Sequence, residues 1–418
     1  MRRYAYDRLT ATDRAGAHQR LVNYFEAVPK PEKVDKLEDL APVIELYHHM
    51  VRAGNLDEAR VLFRDRLTNT LYFQLGAYQL IVELLRALFL DGEDAPPRLK
   101  DESAQAWTLN MLANAYSLSG QPRRAVPLFE MVTALKEKAG DKENLAVGLG
   151  NLAIRNKEIG ELGEAERNLR RSIDLCREVD DEFHEAVGHQ ELGRTLSYRG
   201  AWQEAEQEFS QSLKITEKIS DVQNQGLTWS YRALRFLLMA RTNPQSKIVN
   251  LKSSIASAVR TLELAEGGDP NIGGAILPRD LVRSRWLLGA AYCANNELTL
   301  AEENLSKALN QCRQINMVDH EADILLDLAR LRYAQSDFKD AHEKASEALT
   351  ITERSGYVLQ GADVNLFLAQ YALEQEKDKV KAKEYAESAL KLATCDGPPY
   401  YYKVAYEEAV AMLERLKV

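Results

Sequence analysis

The chain repeats itself every 40 residues, and that period constrains its fold more than any single motif. Gly120, Gly160 and Gly200 keep the interval, as do Leu112, Leu152 and Leu192, then Ala125, Ala165 and Ala205, and finally Asp141, Asp181 and Asp221. Self-similarity at roughly 20–50 residues marks architectures in which one small unit is stacked many times. The pattern resumes in the C-terminal half with Leu288, Leu328 and Leu368 and with Ala301 and Ala341, followed by Ala382 one residue late. Ala205 and Ala301 lie more than two periods apart, so a repeat between the blocks carries extra residues.

Within a unit the apolar spacing is helical. Leu109, Leu112, Ala113 and Tyr116 fall on one face of a first helix, and Ala125, Leu128 and Phe129 begin a second. Gly120, Gly160 and Gly200 suit the connection because glycine reaches positive φ without a Cβ clash; Asn296 is a tolerable substitute, whereas Ser336 and Lys377 fit less well. So short a connection makes each unit an antiparallel helical hairpin. Ala113, Ala153, Gly193, Gly289, Ala329 and Ala369 recur at one position of the first helix, where close approach excludes a longer side chain. A 418-residue chain exceeds one ordinary core, which stops growing near roughly 250–300 residues. Stacked hairpins escape that limit because each buries its faces against its neighbours. The segments read as a helical lead over 1–36, with a helix around 17–28 broken by PKPEK, and a first repeat block over 37–221. An irregular repeat with insertions follows over 222–280, with loops at 240–250 and 266–278. A second block occupies 281–395, and 396–418 forms a capping helix with its charges toward water.

These columns resemble the tetratricopeptide signature. Leu109, Leu112, Ala113 and Tyr116 precede Ala125 and Phe129; Leu192 and Gly193 precede Ala205 and Phe209; Leu288, Gly289 and Tyr292 precede Ala301 and Leu305. A less regular copy has Gly54, Ala59 and Phe63. The resemblance covers roughly 38–395 and implies an all-α, right-handed superhelical solenoid, here with a period longer than the family's usual ~34 residues. The runs 37–67, 115–130 and 150–173 are also similar to the C-terminal sensor of STAND-class (NB-ARC-type) signal-transduction NTPases. That likeness implies a module that holds an ATPase inactive until an inducer occupies it. No GxxxxGK[ST] occurs in the sequence, so ATP hydrolysis is not assigned to this chain, and the short lead suggests a fragment of a larger protein. The alternatives are a stand-alone adaptor tethering two proteins and a receptor for a short signalling peptide.

Composition and motifs narrow the function further. A formal charge of −9 and a pI near 5.5 disfavour a nucleic-acid partner, which calls for a basic footprint. No stretch has the ~20 apolar residues of a membrane span, and the N-terminus lacks an apolar signal core, so a cytoplasmic protein without a membrane partner is expected. Cys176, Cys293, Cys312 and Cys395 lack metal or disulfide spacing and read as free, partly buried thiols. In HEAVGH, His184 and His189 are five apart, one more than a zinc-protease helix requires, and read as surface or turn residues. His48 and His49 are adjacent, point to different sides of a helix and read as structural. GGDPNIGG (267–274) lacks the lysine of a phosphate loop. Neither an enzyme, a metal nor a cofactor is expected.

The remaining site follows from the family geometry, in which the first helix of each hairpin lines the concave surface. Its non-core positions, by register, are Trp107, Asn110, Asn114, Asn151, Gln190, Arg194, Tyr198, Arg283, Trp286, Asp327 and Arg330, joined by Trp229 and Arg232. Arg, Asn and aromatic side chains combine fixed donors with apolar contact, as binding hot spots do. The resemblance thus implies a protein or peptide ligand on this face and, for a sensor, contact with the NTPase module of its own full-length chain. Asn114 and Asn151 match two positions of the carboxylate clamp of chaperone-binding members. Asn110, Val187 and Glu191 replace or neighbour its basic groups, so chaperone binding is not predicted.

Overall fold

The 40-residue period resolves into two helices, mostly of 17 residues each, separated by short turns. The computed structural model describes residues 9–29, 33–34, 36–270 and 273–417; positions 30–32 of PKPEK and 271–272 of GGDPNIGG lie outside them. Among the described residues no strand forms beyond one isolated bridge, Asp269 to Ala275. Two compact units are present, residues 1–119 with 127–138, and 120–126 with 139–418.

In the N-terminal unit α1 (Ala11–Glu26) packs on α2 (Ala41–Ala53), and buried His49 faces His18 with ring nitrogens 3.0 Å apart. α3 (Leu56–Leu62) continues through π-helical turns at Phe63–Leu67 and Asn69–Gln74. α4 (Tyr78–Arg86) supplies the Leu84 carbonyl to which the buried Tyr47 hydroxyl donates at 2.7 Å. α5 (Glu102–Leu118) completes this unit's hairpin frame, and α6 (Pro122–Lys138) has residues in both units.

The C-terminal unit continues the alternation: α7 (Lys142–Glu158), α8 (Leu162–Glu178), α9 (Glu182–Arg199) and α10 (Trp202–Lys218). Next come α11 (Val222–Thr242), α12 (Lys247–Gly267), α13 (Pro278–Ala294) and α14 (Leu298–Gln314). Then follow α15 (Val318–Ala334), α16 (Phe338–Ser355), α17 (Val358–Tyr371), α18 (Lys379–Thr394) and α19 (Lys403–Lys417). The aspartate column caps the next first helix: Asp141, Asp181 and Asp221 accept from the backbone N–H of Asn144, His184 and Asn224 at 3.2, 3.0 and 3.0 Å. The extra residues of the irregular repeat lengthen its helices, since α11 and α12 each have 21 residues. The loop expected at 240–250 therefore shrinks to 243–246, with Ala240 of α11 and Leu251 of α12 buried on either side of it and Ile248 and Val249 exposed.

The turn column reaches positive φ throughout, at 75°, 87° and 74° for Gly120, Gly160 and Gly200 and at 63°, 64° and 59° for Asn296, Ser336 and Lys377. Glycine is required in the first block for a second reason. An added Cβ would lie 3.0 Å from Val318 at Gly120, 2.7 Å from Val358 at Gly160 and 2.4 Å from Lys403 at Gly200. The turns of the first block thus press on the starts of α15, α17 and α19, so this unit returns on itself. The Gly163 N–H donates to Asp396 Oδ2 at 2.8 Å, and Arg199 Nε donates to the Pro399 carbonyl at 3.0 Å, across the same seam. The C-terminal helix does more than cap the stack. Glu408, expected to face water, accepts from Arg241 of α11 at 2.7 Å because the return brings the two helices together.

Candidate functional site

Among the cavities of the C-terminal unit, two are walled mainly by first helices of successive hairpins. The larger, about 890 Å³, is lined by residues of α9, α11, α13, α15, α17 and α19, with a few from α12. Leu234, Leu238, Leu326, Leu366 and Phe367 form an apolar wall. The same cavity holds a set of paired polar groups: Trp286 Nε1 donates to Asp327 Oδ2 at 2.8 Å, and Arg330 donates to Asp327 Oδ1 at 2.8 Å. Arg241 donates to Asp363 at 2.6 Å, and the Tyr402 hydroxyl donates to the other oxygen of Asp363 at 2.9 Å. Burial pulls the Arg241 guanidinium down, but Asp363 and Glu408 outweigh it and hold the group above its usual range. Asp323, between these pairs, is pushed up to about 8 by burial and by the nearby Asp327, so it holds a proton over most of the neutral range.

The smaller cavity, about 270 Å³, is lined by residues of α7, α9, α11, α13, α15 and α17 and shares Tyr198 with the larger one. Lys157 meets Glu191 at 3.1 Å, and the Tyr231 hydroxyl donates to the other oxygen of Glu191 at 2.6 Å. Burial would raise Glu191, yet Lys157 and Arg194 hold it down at about 2; burial and Arg194 together lower Lys157 to about 8. Burial lowers His320 to about 4, so its ring is neutral at pH 7.

Seven of the residues read from register meet in these cavities: Gln190, Arg194 and Arg283 in the smaller, Trp286, Asp327 and Arg330 in the larger, and Tyr198 in both. The structure leaves the others elsewhere. Trp107 lies in the N-terminal unit, packed edge-on against Phe63 with the Arg60 guanidinium 5.2 Å above its ring. Asn114 donates to the Asn110 carbonyl at 3.0 Å, within α5. Asn151 lines neither cavity. Trp229 and Arg232 stack on each other, with Arg232 bonded to Glu206 of α10, because their face of α11 turns toward the preceding second helix. His189, read as a surface or turn residue, is buried and bonded to Glu208 and Arg177, since α10 closes over it. Cys176 and Cys312 are buried free thiols, and Cys293 and Cys395 are half-buried ones.

Sequence reasoning passed over Asp323 and Asp363, although both keep the 40-residue interval from Arg283. Asp319 and His320 keep it from Arg279 and Asp280 and were passed over as well; Lys157 carried no such signal, because the return of the chain brings it to the same cavity as Asp319 and His320.

Comparison with known proteins agrees with the helical-repeat fold. Models of the tetratricopeptide repeat match residues 280–354 and 105–139. No curated protein matches the sequence. Among solved structures, a Rap protein complexed with competence and sporulation factor superposes with a TM-score of 0.57 at 11% identity, covering 85% of this chain and 97% of that one. The Rap conjugation gene regulator of plasmid pLS20, in complex with the Phr* peptide, gives 0.57 at 10% identity, covering 96% and 95%. A STAND protein with a tetratricopeptide repeat sensor from Pyrococcus horikoshii gives 0.43 at 18% identity; 96% of this chain aligns with 55% of that one, so this chain spans about half its length. Among the described residues no helix is long and apolar enough to cross a membrane. The fold is all-α and built from tetratricopeptide-type helical repeats.

Proposed function

We propose that the chain is a non-catalytic receptor whose larger cavity takes a short segment of peptide. The observation that carries this reading is the cavity itself. At about 890 Å³ it lies within the range of specific ligand sites, and its lining combines apolar side chains with orienting polar groups, Trp286, Arg330 and Tyr402. The apolar lining suits aliphatic or aromatic side chains, and the paired charges, which are costly to separate when buried, stay paired and present their remaining donors and acceptors to a peptide backbone. The two Rap complexes add support at the level of fold, since one holds a peptide.

Ala294 lines the cavity and is exposed, so Ala294→Trp should narrow the entrance without disturbing the core. Random heptapeptides displayed on phage and selected on the wild-type chain should lose binding to this variant by at least about tenfold, the equivalent of roughly 1.4 kcal/mol. Equal binding to both proteins would place the peptide elsewhere.

A finer assignment, the inducer-sensing and autoinhibitory region of a cytoplasmic STAND ATPase, is supported by the runs 37–67, 115–130 and 150–173. In that setting the inducer would act by favouring one of two arrangements in proportion to its difference in affinity for them. The gene's reading frame tests this directly. A nucleotide-binding region encoded in frame is expected; an open reading frame limited to these residues removes the assignment while leaving the receptor reading intact.

A further inference from the structure

The smaller cavity has a chemistry of its own. Five cationic side chains line it, Arg155, Lys157, Arg194, Arg279 and Arg283, against three carboxylates. Each carboxylate is engaged: Glu158 by Arg155 at 3.0 Å, Glu191 by Lys157 at 3.1 Å and Asp319 by Arg279 at 2.9 Å. Arg283 leans on Asp280, which lies outside the wall, at 3.0 Å. Unused donors remain. Nε of Arg194 and Nε of Arg283 are buried without a hydrogen-bond acceptor, and Nε2 of His320 has no partner although the residue is only 5% exposed; its Nδ1 lies 3.1 Å from Asp319 Oδ2. Buried donors are rarely left unpaired, and those on charged groups least of all.

We propose that this cavity is an anion site that takes one oxyanion group, a carboxylate or a phosphate, among Arg194, Arg283 and His320. The excess of positive charge supplies attraction where solvent screening is weak, and the guanidinium groups supply directed donors suited to planar or tetrahedral oxyanions. With Nδ1 turned to Asp319, His320 donates from Nε2 once its ring is protonated. Its environment consists of Asp319, the guanidinium groups of Arg194 and Arg283, and the Trp286 ring, whose centroid is 5.4 Å away. An oxyanion placed there offsets the two guanidinium charges and makes protonation of His320 easier. Two sources fit, a free anion or a carboxylate carried by a ligand in the larger cavity, because Tyr198 lines both spaces.

The test uses the full chain with three probes at constant ionic strength: sodium phosphate against sodium chloride, a random heptapeptide mixture as free acids, and the same mixture as C-terminal amides. Binding is read by calorimetry for wild type, Arg283→Gln and Arg283→Lys, the last keeping the charge while removing the Nε donor. Circular dichroism and the melting point without ligand report whether each variant is folded. The seven histidines are followed by carbon-13 NMR. Saturable phosphate binding that weakens at least about tenfold in Arg283→Gln, with an upward shift of the His320 titration, supports a free anion. Preference for free acids over amides, lost in the same variant, supports a ligand carboxylate. If phosphate and free acids bind no better than chloride and amides, or if a folded Arg283→Gln binds like wild type, the anion site is wrong. Peptide binding that Ala294→Trp abolishes and Arg283→Gln leaves intact would overturn this inference and spare the receptor reading. Phosphate binding without peptide binding would do the reverse.

Discussion

Gly193 and Gly16 sit in helices, yet substitution should move stability in opposite directions. A Cβ on Gly193 would lie 2.5 Å from the ring of Phe209, a side chain fully buried under α9. Gly193→Ala should therefore cost ~1–3 kcal/mol through overpacking. Around Gly16 no atom lies within 4 Å of the added Cβ, so Gly16→Ala should stabilise by ~0.5–1 kcal/mol through reduced freedom of the unfolded chain. Urea titration of both variants reads the signs; a neutral Gly193→Ala would show that Phe209 can step aside. Asp323 gives a second prediction. Its carboxyl rises from an ordinary 3.8 to about 8 on folding, so the folded state holds the extra proton, and the stability it contributes is lost as pH climbs through that window. His320, lowered from 6.5 to about 4, acts with the opposite sign below pH 6.5. The Asp323 effect should thus emerge between about pH 6.5 and 8 as a fall in stability, and Asp323→Asn should flatten that fall in urea titrations at each pH. At this scale the sequence made packing columns legible, since Ala113, Ala153, Ala329 and Ala369 are fully buried. Burial of His189 was not legible, because it depends on which face α10 covers.

At the scale of the element, the repeat carries its own punctuation. Asp101, Asp141, Asp181, Asp221 and Asp337 each accept from a backbone N–H three residues on, satisfying a donor that the first helical turn leaves free. The 40-residue spacing of Asp141, Asp181 and Asp221 was visible from the start, but its meaning required the helix boundaries: these residues open the next hairpin instead of closing their own. Asp181→Ala should cost ~1 kcal/mol, within the usual 0.5–2 kcal/mol of a lost N-cap. Restoration by Asn, which keeps an acceptor, separates the cap from the aspartate's pairing with His184 at 2.6 Å. An alanine variant as stable as wild type would mean that water caps α9 equally well. The irregular repeat was harder to read. Asn243, Pro244 and Gln245 signalled a break correctly in place, yet α11 and α12 run to its edges, because turn residues mark where a helix stops and not how many flanking residues stay helical.

On the scale of the molecule, the C-terminal unit differs from an open stack in one respect: its first-block turns touch its last helices. Periodicity could reveal the hairpins, since each hairpin is local, but it could not reveal a return set by small angles accumulated over many repeats. That is why seven of the candidate residues from register reached the cavity walls while Lys157, which the return brings to the same cavity as Asp319 and His320, was missed. It also explains why glycine holds the turn column at 120, 160 and 200 and gives way to Asn296, Ser336 and Lys377 later: the former turns are pressed by Val318, Val358 and Lys403, whereas the latter need only a positive φ. In an open solenoid a lesion weakens its neighbours in sequence. Gly160→Val combines a disfavoured φ of 87° with a Cβ 2.7 Å from Val358. Hydrogen exchange should therefore quicken in the turn around residue 160 and at the start of α17, while the intervening α11 and α12 keep their protection. Loss confined to α7 and α8 would mean that the seam contributes little; loss spread evenly over every helix of the unit would mean that it unfolds as one body and that the seam is part of its cooperative core.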